Sequence, residues 1–325
     1  MAPAPAEGKV PGMTPILTLT LNPALDLSVS TPRVVPGPKL RCSQPRTDPG
    51  GGGANVSRVI HRLGGDSTAL VALGGPTGAG LEVLLRAEGL TLVPLPAPGE
   101  TRISFAVTDA SGGEQYRFVL PGPTWSEADF DALCEALPEA APTGFAVLSG
   151  SLPPGLSPDH AQRLVQALAA RHWQVIADTS GAVLDVLARG KSPMAVLRMD
   201  RAEAEEVAGR PLPDRRHSAD FAAGLVAAGA ARAVIVARGP DGSVAATGSE
   251  RWHVAAADVP VASKIGAGDS FLGAFTLGLA EGMNLPQALS RGAAAASATV
   301  MTEGTDLCRS ADVARLIAEC PATPL

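Results

Sequence analysis

Five residues, Gly266-Ala267-Gly268-Asp269-Ser270, run directly into the apolar stretch FLGAFTLGLA, and their types suit phosphate chemistry. A turn of small residues that opens a helix exposes backbone N–H groups at the positive end of the helix dipole, where an anion is held. A carboxylate in that first turn would repel a bound phosphate unless it had a task, and accepting the proton of an attacking hydroxyl is such a task. Asp269 reads equally well as a simple helix cap. A second glycine cluster, Gly50 to Gly53, precedes Ala54-Asn55-Val56. It lets backbone approach a ligand closely, and Asn55 in the following turn can both donate to and accept from hydroxyls. The spacing is not GxGxxG, and no acidic residue follows the next strand in the dinucleotide-binding manner, which disfavours a Rossmann oxidoreductase.

Carboxylates form a third group. Asp178 closes one apolar run, and Asp200 closes another with Glu203 three residues on. Acids at the carboxyl ends of parallel strands border the crevice where such sheets bind ligands. Asp200 and Glu203 share a helical face and could hold Mg²⁺ through water, or they could form a helix cap with its capping-box glutamate. A fourth group is basic: Lys39, Arg41, Arg102 and Arg117 flank the glycine cluster in sequence, as a phosphate clamp would require. The histidines are scattered with no serine and acid to complete a triad, and Cys308 reads as a packing residue.

The elements that must carry these residues follow from the hydrophobic pattern. Ile16 to Leu21 is a β-rich run closed by Asn22-Pro23, a turn signal. A helical period through Val56, Val59, Ile60 and Leu63 stops at Gly64-Gly65. Strand and helix then alternate: strands over 68–73, 90–95, 145–149, 175–178, 195–198 and 233–237, helices near 78–88, 159–171, 181–189, 201–208 and 218–228. A hairpin over 243–247 and 251–254 and helices near 269–281, 285–302 and 310–319 complete the chain. This rhythm predicts a parallel sheet covered by helices. Segments 27–32, 39–46, 102–109 and 114–120 interrupt it as strands with a polar face, the last two joined by Ser111-Gly112-Gly113, and predict a small sheet standing off the main body as a lid.

Composition narrows the function. The 325 residues carry a net charge of −6 and no run of Lys or Arg longer than two, against a nucleic-acid surface. The longest strongly apolar stretch, Phe271 to Ala280, is half of a membrane span. Residues 1–15 are rich in Ala and Pro, lack the pattern of a signal peptide, and are expected to be a disordered tail. Four cysteines show no CxxC pair and no zinc spacing, so a cytoplasmic location is expected.

Together these segments resemble the ribokinase-like (PfkB) carbohydrate kinases over roughly residues 16–318. The likeness lies in LTLNPALD, KLRC, PGGGGANVSR, GEQYRFVLPG, SGSLPPG, ADTSG, IGAGDSFLGAF and GTDLC. KLRC, GEQYRF and GTDLC favour the 6-phosphofructokinase branch, whereas the 1-phosphofructokinase branch usually has lysine where this chain has Gly52. The resemblance implies an α/β fold, a ribokinase-like three-layer αβα core with a mostly parallel sheet plus a β-sheet lid, in one kinase domain over 16–325 with lid strands inserted at about 27–46 and 102–120. It implies ATP and Mg²⁺ as cofactors, phosphorylation of the 1-hydroxyl of fructose 6-phosphate, and a homodimer joined through the lid. A kinase of tagatose 6-phosphate or another ketose phosphate, or a weakly active sugar-phosphate sensor, are the alternative readings.

Residue by residue, the resemblance makes Asp269 the catalytic base and Gly266, Ala267 and Gly268 the anion hole. Asp26, Gly51, Gly52, Gly53 and Asn55 fall at sugar contacts, Lys39, Arg41 and Arg102 at contacts to the sugar phosphate, and Ser151 on the substrate cleft. On the nucleotide side the chain departs from the family pattern. Arg198-Met199-Asp200-Arg201-Ala202-Glu203 replaces the usual Lys-Pro-Asn-x-x-Glu, with Asp200 and Glu203, and more weakly Asp178, as water-mediated metal contacts. Ala237-Arg238-Gly239, followed by Gly242, stands where Ser/Thr-Leu-Gly is common.

Overall fold

The computed structural model describes residues 13–140 and 143–325. In chain order the strands are β1 (Ile16–Thr20), β2 (Ala24–Thr31), β3 (Arg46–Gly50), β4 (Thr68–Leu73), β5 (Thr91–Pro96), β6 (Arg102–Asp109), β7 (Gln115–Val119), β8 (Phe145–Ser149), β9 (Gln174–Asp178), β10 (Val196–Asp200), β11 (Ala233–Ala237), β12 (Ser243–Thr247), β13 (Arg251–Val254) and β14 (Ala322–Pro324). The helices are α1 (Gly52–Arg62), α2 (Gly75–Ala87), α3 (Glu127–Ala136), α4 (Asp159–Ala170), α5 (Gly181–Arg189), α6 (Arg201–Ala208), α7 (Arg215–Ala228), α8 (Ala267–Ala280), α9 (Leu285–Val300) and α10 (Ser310–Leu316).

Ten strands form one sheet in the order β14-β13-β12-β11-β10-β9-β8-β1-β4-β5. It is parallel from β5 to β11 and antiparallel beyond. The central strands are apolar on both faces because helices cover both. In β1, Leu17 and Leu19 pack toward α3–α7, while Ile16 faces the opposite layer of α1, α8, α9 and α10. Thr18 and Thr20 are the polar residues on that second face, and the Thr18 hydroxyl is satisfied by Ser57 of α1 at 2.7 Å. The chain leaves β1 for β4 and β5 on one side and returns at β8 on the other, so the carboxyl ends of β1 and β8 border a topological switch point, where α/β sheets bind ligands.

The smaller sheet has the order β3-β2-β6-β7. It unites the polar-faced segments: the expected hairpin over 102–109 and 114–120 forms as antiparallel β6 and β7, while β2 and β6 run parallel, pairing Ala24 with Arg102 and Asp26 with Ser104. The strand expected over 39–46 forms instead at Arg46–Gly50, antiparallel to β2, with Asp48 opposite Asp26. Pro38 precedes the earlier segment and Pro45 interrupts it, whereas an edge strand such as β3 accommodates Pro49, whose missing N–H faces no partner strand.

Three further differences have local causes. Helix α3 was not expected; Ser126 and Asp129 start it with a reciprocal capping box. Helix α8 begins at Ala267, which puts Asp269 inside its first turn rather than at its start. The disordered tail expected over 1–15 lies outside the described residues as far as residue 12. Its last residues are tied to the body, with the Thr14 N–H donating to the Ala280 carbonyl at 3.1 Å and the Pro15 carbonyl accepting from Phe145 at 2.9 Å. Among the described residues no helix is long and apolar enough to cross a membrane.

Candidate active site

The α8 amino terminus opens on Gly266 at φ 76, a left-handed conformation that glycine adopts without penalty. The Ser270 N–H closes the first helical bond onto the Gly266 carbonyl at 2.8 Å. The first-turn N–H groups before it have no intrahelical acceptor and point into the crevice's end of the helix. Asp269 sits beside them, enclosed on most sides and partly accessible. Its Oδ2 accepts from Asn55 Nδ2 at 2.9 Å, and the Ser149 side chain stands near the carboxyl. Burial pushes the Asp269 carboxyl up to about 6, and Asp178 adds to the rise, while Asn55, Arg198 and Ser149 oppose it. A carboxylate with a pKa near 6 is ionised at neutral pH yet basic enough to take a proton.

The glycine cluster brings Asn55 to this point. A side chain on Gly52 would overlap the Ser149 hydroxyl, and one on Gly50 would overlap the Asp26 carboxylate. Small residues here let the end of β3 and the start of α1 press against β8 and β2. Asp26 is thereby placed at the root of the small sheet, accepting from Ser104 and raised above the usual carboxylate range by burial, with Arg102 and Arg117 opposing the rise. Arg102 donates through Nε and a terminal nitrogen to the Asn22 carbonyl at 3.2 and 3.0 Å. Asn22 in turn donates to Ser151 Oγ at 3.0 Å, so one residue of the β1 turn ties Arg102 to the Ser151 loop. Lys39 and Arg41 lie on the exposed segment between β2 and β3.

Residues 20–312 match the pfkB family of carbohydrate kinases. The chain belongs to this family. It is 39% identical over 314 residues to ATP-dependent 6-phosphofructokinase isozyme 2 of Mycobacterium tuberculosis, covering 96% of this chain and 91% of that one. It is 37% identical over 307 residues to the isozyme 2 enzyme of Escherichia coli, covering 94% and 99%. The crystal structure of Escherichia coli phosphofructokinase-2 in complex with fructose-6-phosphate superposes with a TM-score of 0.86 at 36% identity, over 94% of this chain and 99% of that one. As a pfkB carbohydrate kinase the protein is a phosphotransferase that uses ATP.

Across α8 from the glycine cluster, this pfkB chain has a cavity of about 560 Å³, within the range of small-molecule sites. Ala237, Gly239, Gly242, Arg198, Lys264 and Gly268 are among the residues that line it. Arg198 donates to Asp178 Oδ2 at 2.5 Å and lies over the Phe271 ring at 5.2 Å. Strand alternation explains the pairing: Asp178 and Arg198 both follow the parity of Ile176 and Val196, which face α8.

The same alternation corrects the reading of Arg238 as a nucleotide contact. Arg238 follows the parity of Val234 and Val236, which face α7. Its buried guanidinium donates to the Leu212 and Pro213 carbonyls, each at 3.0 Å, to Ser218 Oγ at 2.5 Å and to Asp241 Oδ2 at 3.0 Å. Arg238 is an anchor for the α7 layer.

Asp200 and Glu203 form a reciprocal capping box on α6, Glu203 N–H to Asp200 Oδ1 at 2.9 Å and Asp200 N–H to Glu203 Oε2 at 2.7 Å. Asp200 does not line the cavity. Burial raises the Glu203 carboxyl, and Asp200 and Asp178 reinforce this, with Arg198 opposing. Among the described residues no three His, Cys, Asp or Glu side chains gather as a metal site.

Sequence reasoning missed three residues of this arrangement: Asn22, Lys264 and Arg58. Lys264 was legible as a cation two residues before the anion-binding turn. Arg58 was legible as the helical neighbour of Asn55 at i+3.

Proposed function

We propose that the protein transfers the γ-phosphoryl group of ATP to the 1-hydroxyl of fructose 6-phosphate, as one kinase domain over residues 16–325. The observation that carries this reading is the convergence of Asp269, Asn55 and the open amino terminus of α8 at the crevice between the small sheet and the 560 Å³ cavity. A proton acceptor lies next to a set of anion-binding N–H groups, with the polar side chains Asp26, Asn22 and Arg102 at the root of the small sheet and the 560 Å³ cavity lined by Arg198, Lys264 and Gly268. The kinship with enzymes named ATP-dependent 6-phosphofructokinase isozyme 2 supports the choice of sugar.

In this mechanism Asp26, Asn55 and the 51–53 turn hold the sugar hydroxyls. Lys39, Arg41 and Arg102 face its phosphate, and Ser151 closes the cleft. Asp269 accepts the proton of the 1-hydroxyl as that oxygen attacks phosphorus. The N–H groups of the Gly266–Gly268 turn stabilise charge on the transferring oxygens. Phosphoryl transfer asks mainly for alignment and charge stabilisation, so a carboxylate that orients the hydroxyl is a sufficient base. Lys264 and Arg198 supply positive charge on the nucleotide side.

The donor set suits Mg²⁺, which keeps several waters and binds through one or two carboxylates together with phosphates. Asp200 and Glu203 would hold it through water, since each spends one oxygen on the capping box. Asp178 nearby is paired with Arg198, so the second oxygens of Asp200 and Glu203 carry the unpaired negative charge of this corner. The ion would neutralise charge on the nucleotide phosphates. We further infer that two copies associate through the small sheet acting as a lid, because β7 exposes Tyr116, Phe118 and Val119, and Leu120 beyond it.

The test is a coupled assay of ADP release over a panel of sugar phosphates. Fructose 6-phosphate is expected to give the highest kcat/KM. A higher value for tagatose 6-phosphate would replace the substrate, and silence across the panel with measurable sugar-phosphate binding would make the protein a sensor.

A further inference from the structure

Arg58 has no place in the mechanism so far, yet it is one of the most buried charges in the molecule, at 3% exposure. Glu88 holds it in a two-pronged pair, Nε to Oε2 and a terminal nitrogen to Oε1, each at 2.8 Å. Its other terminal nitrogen is shared between the Pro49 carbonyl at 3.1 Å and Asn55 Oδ1 at 3.0 Å. Arg58 is buried while Glu88 is 30% exposed, and an ion pair of this kind contributes little net stability compared with apolar residues of the same volume, which directs attention to what else the guanidinium holds.

The geometry supplies that role. A side-chain amide has an accepting end and a donating end. Because Arg58 occupies the oxygen of Asn55, the nitrogen is the end presented to Asp269, at 2.9 Å from Oδ2. Turning the amide over would set its oxygen against the Asp269 carboxylate and its NH₂ against the guanidinium, two repulsive contacts in place of two attractive ones. The same Arg58 nitrogen also grips Pro49, a residue of β3 at the root of the small sheet.

We propose that Arg58 is a positioning residue for phosphoryl transfer: it locks the Asn55 amide so that it donates to Asp269, and it fastens that lock to the lid strand β3. The inference rests on Asp269 being the base. The other groups facing Asp269 are Asp178 from β9, Arg198 from β10 and Ser149 from β8. Glu88 neutralises Arg58, so the pair acts on Asp269 through orientation rather than through net charge.

The experiment compares Arg58→Lys, the double variant Arg58→Met with Glu88→Gln, and Asp269→Asn with the parent enzyme in the pH dependence of kcat. Lysine keeps the charge and loses the fork. An amide free to turn donates to the carboxylate only part of the time, which favours the protonated base. The expected result for Arg58→Lys is a kcat about 10-fold lower, typical of losing a residue that orients a functional group. Its acidic limb should move upward by about half a pH unit or more, and the double variant, which removes both charges together and leaves the Asn55 oxygen unclaimed, should move it in the same direction. Ionisation of the sugar phosphate is common to all variants and cancels. A lower kcat with an unmoved acidic limb in both variants would reduce Arg58 to a structural pair and overturn the proposal. If Arg58→Lys fails to fold, the double variant decides by itself. Retained turnover in Asp269→Asn would fail the base reading and the proposal with it, whereas collapse there beside unmoved limbs in the other two would fail the proposal alone.

Discussion

Asp269→Asn should damage activity and strengthen the fold at once, by amounts that trace to one buried carboxyl. The substitution keeps size and shape but removes the proton acceptor, and general-base contributions of about 10²- to 10⁴-fold set the expected loss in kcat. The stability effect follows from the carboxyl's rise from 3.8 to about 6. A carboxyl whose folded pKa lies above its unfolded value holds its proton more tightly when folded, so stability is gained as pH falls from about 6 toward 3.8 and the penalty is full above that window. About two pH units at 1.36 kcal/mol each give an upper value near ~3 kcal/mol, and the cleft-facing side of Asp269 reduces this to about 1–2 kcal/mol by solvent screening. Asparagine carries no charge and escapes the penalty. The variant should therefore unfold about 1.5–3 °C higher than the parent at pH 8, using about 1.5 °C per kcal/mol for a chain of 325 residues, and the gap should close as the pH drops below 5. Thermal unfolding at pH 8, 6.5 and 5, beside the coupled assay, measures both effects. A variant within 10-fold of the parent in kcat, or a stability gain that does not change with pH, would refute the reasoning.

Lys39→Ala should raise the KM for the sugar phosphate more than it lowers kcat, because a contact to the non-reacting phosphate is made in ground and transition states alike; initial rates against sugar phosphate at saturating ATP measure it. Lys264→Ala should act on the other substrate, raising the KM for ATP several-fold with the sugar KM unchanged, and equal shifts in both would remove Lys264 from the nucleotide cavity. Arg238→Ala should cost about 2–4 kcal/mol in urea unfolding, since two buried carbonyls and Ser218 lose their donor. Its KM for ATP should stay within about twofold of the parent, because its guanidinium faces α7.

What the sequence disclosed and what it withheld follow from the range of the forces involved. The central strands and the helices between them were legible because burial on both faces writes unbroken apolar runs, as in Phe145–Ser149 and Ala233–Ala237. Asp269 and Asn55 were legible as chemistry because their neighbours are small and the turns are local. Their direct contact, between residues 214 positions apart, is a product of tertiary packing. The small sheet was legible as polar-faced strands, but its parallel β2–β6 pairing was not, since nothing local distinguishes a partner from a neighbouring strand. Pro49 and the glycines after it read as loop, and only an edge position explains why Arg46–Gly50 is a strand. Arg238 shows the converse error: a residue inside a nucleotide-facing segment points away from it because successive side chains of a strand alternate.

The four outer strands of the two sheets differ in one respect that bears on how the molecule behaves among its own copies. An unpaired strand edge is a template for uncontrolled pairing between chains, and proline blunts it by removing a donor. β3 carries Pro49, β5 carries Pro94 and Pro96, and β14 carries Pro324. β7, reading Gln-Tyr-Arg-Phe-Val, carries none, and all five of its residues are exposed. Three edges thus carry a proline and one does not, so the proposed association of two copies has β7 as its open edge. Placing a proline at Arg117 or introducing charge at Phe118 would close the last edge.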